Sequence, residues 1–478
     1  MTSKTRAPFV PGGYREVFQV AWPLIVSMGS FTLMTFADRI FLARYSTTAI
    51  QAAVPSGILV FCLCCGFMAL ASYASTFVSQ YYGAREFPLC GVATAQGVLL
   101  ALITWPLLII LIPCGRWLLA ISGHAPAVLE MELTYFTILM WGAGSIALGA
   151  AIAGFFTGLG DTRTTMITNV LGNGLNIVLD YAMIFGKWGF PEMGIAGAAV
   201  ATVIAGFVSP LILLGLYFSK RYLEVFQTRS TFRYNHRIFW RVVRFGLPSG
   251  IHLSLDIASF TMFVILTGRL DPTELAASNI ALSINTLAFM PLIGLGIAAS
   301  ILVGQYIGRS QPEHAEKAAW NAWQMGMLYM LLTGITFVLF PEFYYALFVN
   351  RATSGIPLSD LVPIGRMLLL ILPVWGIMDV SNLVIGHALK GAGDTDYVMY
   401  YSVGAAWLLL VPGQLLIVNV LHGSIVHSWM WTAFFIAVLG VGYLFRFRKG
   451  RWKTIDLMGR HTPPIEPARG GAEALAAD

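Results

Sequence analysis

The sequence predicts an all-α membrane protein, with twelve transmembrane helices in two homologous six-helix lobes around a central cleft. Three observations predict it: an apolar composition, an internal repeat, and four carboxylates isolated inside apolar helices. Of 478 residues, 57% are hydrophobic and 11% charged, against roughly 25% charged in soluble domains. No aqueous fold of this length hides that much apolar surface, so lipid is the solvent. A membrane helix needs about 20 mostly apolar residues. Charge-free windows of that size or more run over 45–84, 87–115, 133–160, 193–219, 275–308, 318–341 and 397–445.

Divided at polar turns, the chain places spans at 17–43, 52–82, 89–113, 129–157, 164–186, 193–219, 245–268, 275–308, 318–341, 361–388, 397–421 and 424–445. An even number puts both termini on one side. With the N-terminus inside, the cytoplasmic segments hold 22 of the 29 Lys and Arg, and basic residues in short loops stay cytoplasmic. The expected location is the inner (cytoplasmic) membrane, multi-pass, with both termini cytoplasmic. The net charge of +6 is this asymmetry summed over many loops, and no nucleic acid is needed to explain it. Residues 1–16 are read as a cytoplasmic N-terminus. The first span carries Asp38 and Arg39 without a small-residue cleavage site, so it reads as an uncleaved helix. Residues 446–478 are read as a cytoplasmic tail, polar after Lys453 and disordered. The cysteines at 62, 64, 65, 90 and 114 lie in or beside spans with no His or acid at metal-like spacing. They are read as packing residues, neither metal ligands nor disulfide partners.

The repeat organises the rest. Val78-Ser-Gln-Tyr-Tyr-Gly83 matches Val303-Gly-Gln-Tyr-Ile-Gly308 at an offset of 225, and Pro23 and Pro248 keep that offset. Gly158-Leu-Gly-Asp-Thr162 matches Gly391-Ala-Gly-Asp-Thr395 at an offset of 233. The lobes are therefore 17–219 and 245–445, joined by a basic linker at 220–244. An even number of helices per repeat makes the halves run in the same direction, related by an axis along the membrane normal. Neither glycine motif follows a strand or carries a Gly-Lys-Ser/Thr, so each reads as a tight turn with Asp161 or Asp394 near the start of the next helix. With no nucleotide-hydrolysing module in view, an ion gradient is the expected energy source.

A carboxylate at mid-membrane costs about 2.5–3.5 kcal/mol on insertion scales, so such residues face a bundle interior or an aqueous cavity. Asp180 follows Asn176 by one turn, which puts their oxygens on one face of the fifth span. Asp38 and Thr202 on other spans complete a hard-oxygen set for a small cation, and two acids held close also share a proton readily. In the second half His252 and Asp256 are four apart, and Trp375 precedes Asp379 by one turn. A Trp face beside two carboxylates suits an organic cation. Pro23 removes one backbone hydrogen bond and is a candidate hinge.

Span count, duplicated halves, the early proline and the ordered acids Asp38, Asp180, Asp256 and Asp379 resemble the multidrug and toxic compound extrusion (MATE) family over roughly residues 14–450. The resemblance to its DinF branch implies an N-lobe cation site at Asp38, Asn176, Asp180 and Thr202. The resemblance to its NorM branch implies C-lobe roles for Asp256, eight residues after Pro248, and for Asp379. Where that branch commonly carries Tyr this chain has Trp375, which lacks a hydroxyl ligand.

The expected function is a cation-coupled antiporter, using proton or sodium, that exports organic cationic or amphipathic compounds and works as a monomer. It is not expected to be an enzyme, it needs no cofactor, and any metal is limited to sodium at Asp38, Asn176, Asp180 and Thr202. The alternative is a lipid-linked saccharide flippase of the same superfamily. Such a protein wants arginines in its cavity, whereas Arg39 and Arg366 are the basic groups read as near spans, against four acids.

Overall fold

The computed structural model describes residues 10–352 and 357–459. Every regular element among them is helical, as expected where lipid offers the backbone no hydrogen-bond partner. Eleven helices are long and apolar enough to cross a membrane: Tyr14–Tyr45, Thr47–Gly83, Phe87–Ile110, Pro126–Gly158, Gly194–Tyr217, His236–Thr267, Pro272–Gly308, Pro312–Leu339, Ser359–Ala392, Thr395–Val420 and Ile425–Arg448. The fifth predicted span is the helix Thr162–Ile184, which at 23 residues is long enough but too polar to qualify by composition. It carries Asn169, Asn173, Asn176 and Asp180 and packs between the first and sixth spans. With it, each of the twelve predicted spans has its helix.

Some boundaries differ. The seventh helix begins at His236 because Asn235 caps it, accepting from the Ile238 amide at 3.0 Å. Much of the predicted linker is thus helical, including the short helix Lys220–Phe226, whose Tyr222 and Phe226 are buried. The expected tail is ordered at its start. Arg451–Thr454 form one turn of 3-10 helix, and Trp452 is buried and stacked on Phe447. Leu457 is also buried, and the Arg241 guanidinium donates to its carbonyl at 2.7 Å. Apolar Trp452 and Leu457 are what hold this segment against the bundle. The rest of the tail, from 460, lies outside the described residues.

The repeat becomes a set of reciprocal contacts. The first span packs on the fifth and eighth, and the seventh on the eleventh and second, which are the same contacts exchanged between halves. Gln80 Nε2 donates to the Gly391 carbonyl at 3.1 Å, and Gln305 Nε2 donates to the Gly158 carbonyl at 2.9 Å. Each bond joins one lobe to the other. A Cβ at Gly83 would stand 2.0 Å from the Gln305 carbonyl oxygen, and a Cβ at Gly308 would stand 2.0 Å from that of Gln80. No side chain fits at either crossing. Nearby, Tyr306 donates to Glu16 at 2.7 Å and Asn321 to the Gly12 carbonyl at 2.6 Å, fastening the start of the first span to the second lobe.

The two glycine motifs are turns, with Gly160 and Gly393 at φ of 84° and 100°, where an L side chain is strained. Asp161 caps the fifth helix through the Thr164 amide at 3.3 Å. Its counterpart Asp394 occupies the same position but pairs with Arg446 at 2.7 Å and 3.0 Å instead. At the opposite end of the bundle Asp271 caps the eighth helix. The Thr273 amide donating to it at 2.8 Å holds its carboxyl below the usual carboxylate range.

Candidate functional site

The first cluster is built on the fifth helix. Asn169, Asn173, Asn176 and Asp180 are spaced 4, 3 and 4 apart, so they form one polar stripe. Asn169 donates to Ser27 at 2.8 Å and accepts from Ser209 at 2.9 Å, Asn173 donates to Ser30 at 2.8 Å, and Asn176 donates to Thr202 at 3.4 Å. The amides thus stitch the fifth helix to the first and sixth, and the stripe ends on Asp180, which is 0% exposed. Asp38 on the first span lies within electrostatic reach of Asp180, and Tyr135 of the fourth span within reach of both.

What these groups lack is informative. Asp38 Oδ1, Asn176 Oδ1 and both carboxylate oxygens of Asp180 are buried and accept no hydrogen bond from the protein. Buried acceptors without donors are costly, so this pocket of oxygens is suited to a proton or a small hard cation. Arg39, next in sequence to Asp38, is exposed. All four predicted residues, Asp38, Asn176, Asp180 and Thr202, belong to this one cluster. Asn169, Asn173, Ser27, Ser30 and Tyr135 were not singled out from sequence, although the heptad-like spacing of the asparagines was available there.

The second cluster has different chemistry. Asp379 is 5% exposed, accepts from Asn382 at 3.0 Å, and lies within electrostatic reach of Asp256. A π-helical turn, Ser381–Ile385, begins two residues after Asp379, a local widening that often marks a working site. His252 does not pair with Asp256. Its Nδ1 accepts from the Lys390 ammonium at 3.1 Å, so that nitrogen carries no proton. Lys390 also acts electrostatically on Asp256 and on His387. His387 in turn donates from Nδ1 to the Leu383 carbonyl at 2.7 Å.

Lys390 corrects the count of basic groups near the spans. The tenth span runs to Ala392, so the residue assigned to a cytoplasmic loop folds inward. Trp375 is also placed differently from expectation: it is 4% exposed and its ring packs on Trp429 at 5.3 Å. Pro23 is buried within a first helix that is continuous from Tyr14 to Tyr45. A further buried acid, Glu132 of the fourth span, is bonded to His124 at 2.7 Å.

Two six-helix halves with exchanged contacts and an acid cluster inside each half define a two-lobe membrane transporter. The chain belongs to the MatE family, whose model matches residues 23–182 and 248–416, one match per lobe, beginning at Pro23 and Pro248. A Thermotoga maritima protein described as a probable multidrug resistance protein NorM is 27% identical over 458 residues, covering 94% of this chain and 96% of that protein. The multidrug resistance protein MdtK of Proteus mirabilis is 26% identical over 408 residues, 84% of this chain and 87% of its own length. Among solved structures, an outward-facing multidrug resistance MATE transporter superposes with a TM-score of 0.82 at 22% identity, over 92% of this chain and 97% of that one. A eukaryotic MATE transporter superposes with a TM-score of 0.80 at 20% identity, over 92% and 96%.

Proposed function

We propose that this chain exports organic cations from the cytoplasm in exchange for an inward proton or sodium ion. The observation that carries the reading is the set of buried, undonated oxygens at Asp38, Asn176 and Asp180. A site that binds the coupling cation from outside needs such oxygens before the ion arrives. The names of the relatives, multidrug resistance proteins, support small organic compounds as cargo. Inside-negative potential opposes loss of a cation by about 2.3 kcal/mol per charge per 100 mV, and inward movement of the coupling ion offsets this cost.

The lobes are clasped at the end that the basic residues assign to the cytoplasm, by the Gln80 and Gln305 bonds. We read this as the cytoplasm-closed state, with both termini inside. Ion uptake by the N-lobe oxygens then favours release of cargo and return of the lobes, with Pro23 as the hinge and no enzymatic step. Dye export from proteoliposomes tests the reading. With properly inserted Asp38→Asn and Asp180→Asn variants, export as fast as that of the parent would sink the N-lobe coupling. Imposed sodium and proton gradients applied separately identify the ion.

A further inference from the structure

The residue that duplication does not explain is Lys390. Its counterpart in the first half, at the offset of the glycine motifs, is Thr157, whose hydroxyl bonds within its own helix to the Ala153 carbonyl at 3.0 Å. One half therefore places a self-satisfied hydroxyl where the other places an ammonium. That ammonium donates to His252 at 3.1 Å and acts electrostatically on Asp256, both on the seventh span, while Lys390 belongs to the tenth. His252 is neutral at the accepting nitrogen and leaves the positive charge uncompensated; Asp256, one helical turn after His252 on the same span, faces the charge without a direct ion pair, since the ion pairs among the described residues lie elsewhere. An ammonium drawn into a helix bundle needs such a counter-charge.

The backbone of the same residue is held by the other lobe. Tyr73 of the second span donates to the Lys390 carbonyl at 2.9 Å, and the next carbonyl, Gly391, accepts from Gln80 at 3.1 Å. One residue thus has its side chain in the C-lobe acid cluster and its main chain in the clasp that closes the cytoplasmic end. An organic cation and a lysine ammonium carry the same charge, so they compete for one carboxylate.

We propose that the Lys390 ammonium is a resident counter-cation of Asp256, and that an organic cation displaces it to bind in the C-lobe, so that occupancy is felt at the clasp. This rests on the organic-cation reading above. Lys390 is then a specificity-determining residue: it excludes cations too weak to displace it and spares Asp256 from standing uncompensated when no cargo is present.

The test uses the purified full-length protein and tetraphenylphosphonium, with binding measured by equilibrium dialysis and export in proteoliposomes. Lys390→Met and Lys390→Gln remove the competitor and are expected to bind the probe about tenfold more tightly while turning over more slowly, a split of KM against kcat. Lys390→Arg keeps the charge and should stay close to the parent in both. Unchanged affinity in the Met and Gln variants overturns the proposal. So does an Arg variant that behaves like Met, since the side chain would then only fill space. Should the single variants fail to insert, the double variant Asp256→Asn, Lys390→Met removes both charges. Recovery of insertion supports a charge pair, and continued failure assigns Lys390 to the scaffold. If the parent itself binds and exports no organic cation, the cargo reading fails first and separately.

Discussion

The two lobes descend from one repeat, yet their buried acids live in opposite surroundings. In the first lobe Asp38 Oδ1 and both carboxylate oxygens of Asp180 go undonated, while the neighbouring Asn176 amide donates to Thr202 instead. In the second, Asp256 and Asp379 share their region with Lys390, His252 and His387. An undonated carboxylate pair is ready for a cation, whereas one already facing an ammonium exchanges one positive charge for another. Duplication preserved the clasp that joins the lobes and let the interiors diverge. This is the pattern expected if closure must be symmetric while ion and cargo are handled separately.

The clasp supplies the largest effect by which to challenge this comparison. Gly83→Val and Gly308→Val each drive a side chain into a backbone carbonyl, 2.0 Å from the Cβ alone. Both should abolish closure at the clasp to the same degree. Thiol labelling of a cysteine placed at Ser79, with the native cysteines removed, reads the open end, and unequal outcomes would break the symmetry. Next come the acids. Asp180→Asn or Asp38→Asn should lower export by about tenfold or more, some 1.4 kcal/mol, and Asp379→Asn should lower it by less. Equal losses in dye efflux would erase the division of labour between the lobes.

Smaller effects sharpen the same contrast. Asn169→Ala removes the partner of both Ser27 and Ser209 and should cost about 1–3 kcal/mol of stability, read as thermal unfolding in detergent. An unchanged transition would mean that the asparagine stripe positions nothing. The smallest change is expected for Gln80→Ala and Gln305→Ala. Each loses one interlobe bond worth about 0.5–1.5 kcal/mol, and the two should match in the labelling assay, because they are copies of one contact.

The helices themselves were legible in the sequence because the period and length of apolar runs are imposed by the bilayer, whatever the lobes do. Asp38 and Asp180 were legible as candidates as well, since a carboxylate in lipid is conspicuous alone; Asn176 followed from its one-turn spacing to Asp180, and Thr202 from the family resemblance. Lys390 was not. It stands two residues beyond the predicted end of the tenth span and beside a glycine turn, where a basic residue ordinarily meets water. The helix continues to Ala392, so its side chain reaches inward. Trp375 misled in the opposite way: spacing put an aromatic ring one turn from Asp379, but the ring is buried and packs at a tilt against Trp429.

By itself the sequence determined the class of solvent, the number of helices, the duplication and the ordered acids, because each is a local property of composition or spacing. Only the tertiary structure decided which charges meet. It set the Lys390 ammonium against neutral His252, left the oxygens of Asp180 undonated, and joined each six-residue motif to the glycine turn of the other half in one reciprocal clasp. Those outcomes depend on where helices far apart in the chain cross, and the depth of a side chain at a crossing follows from packing.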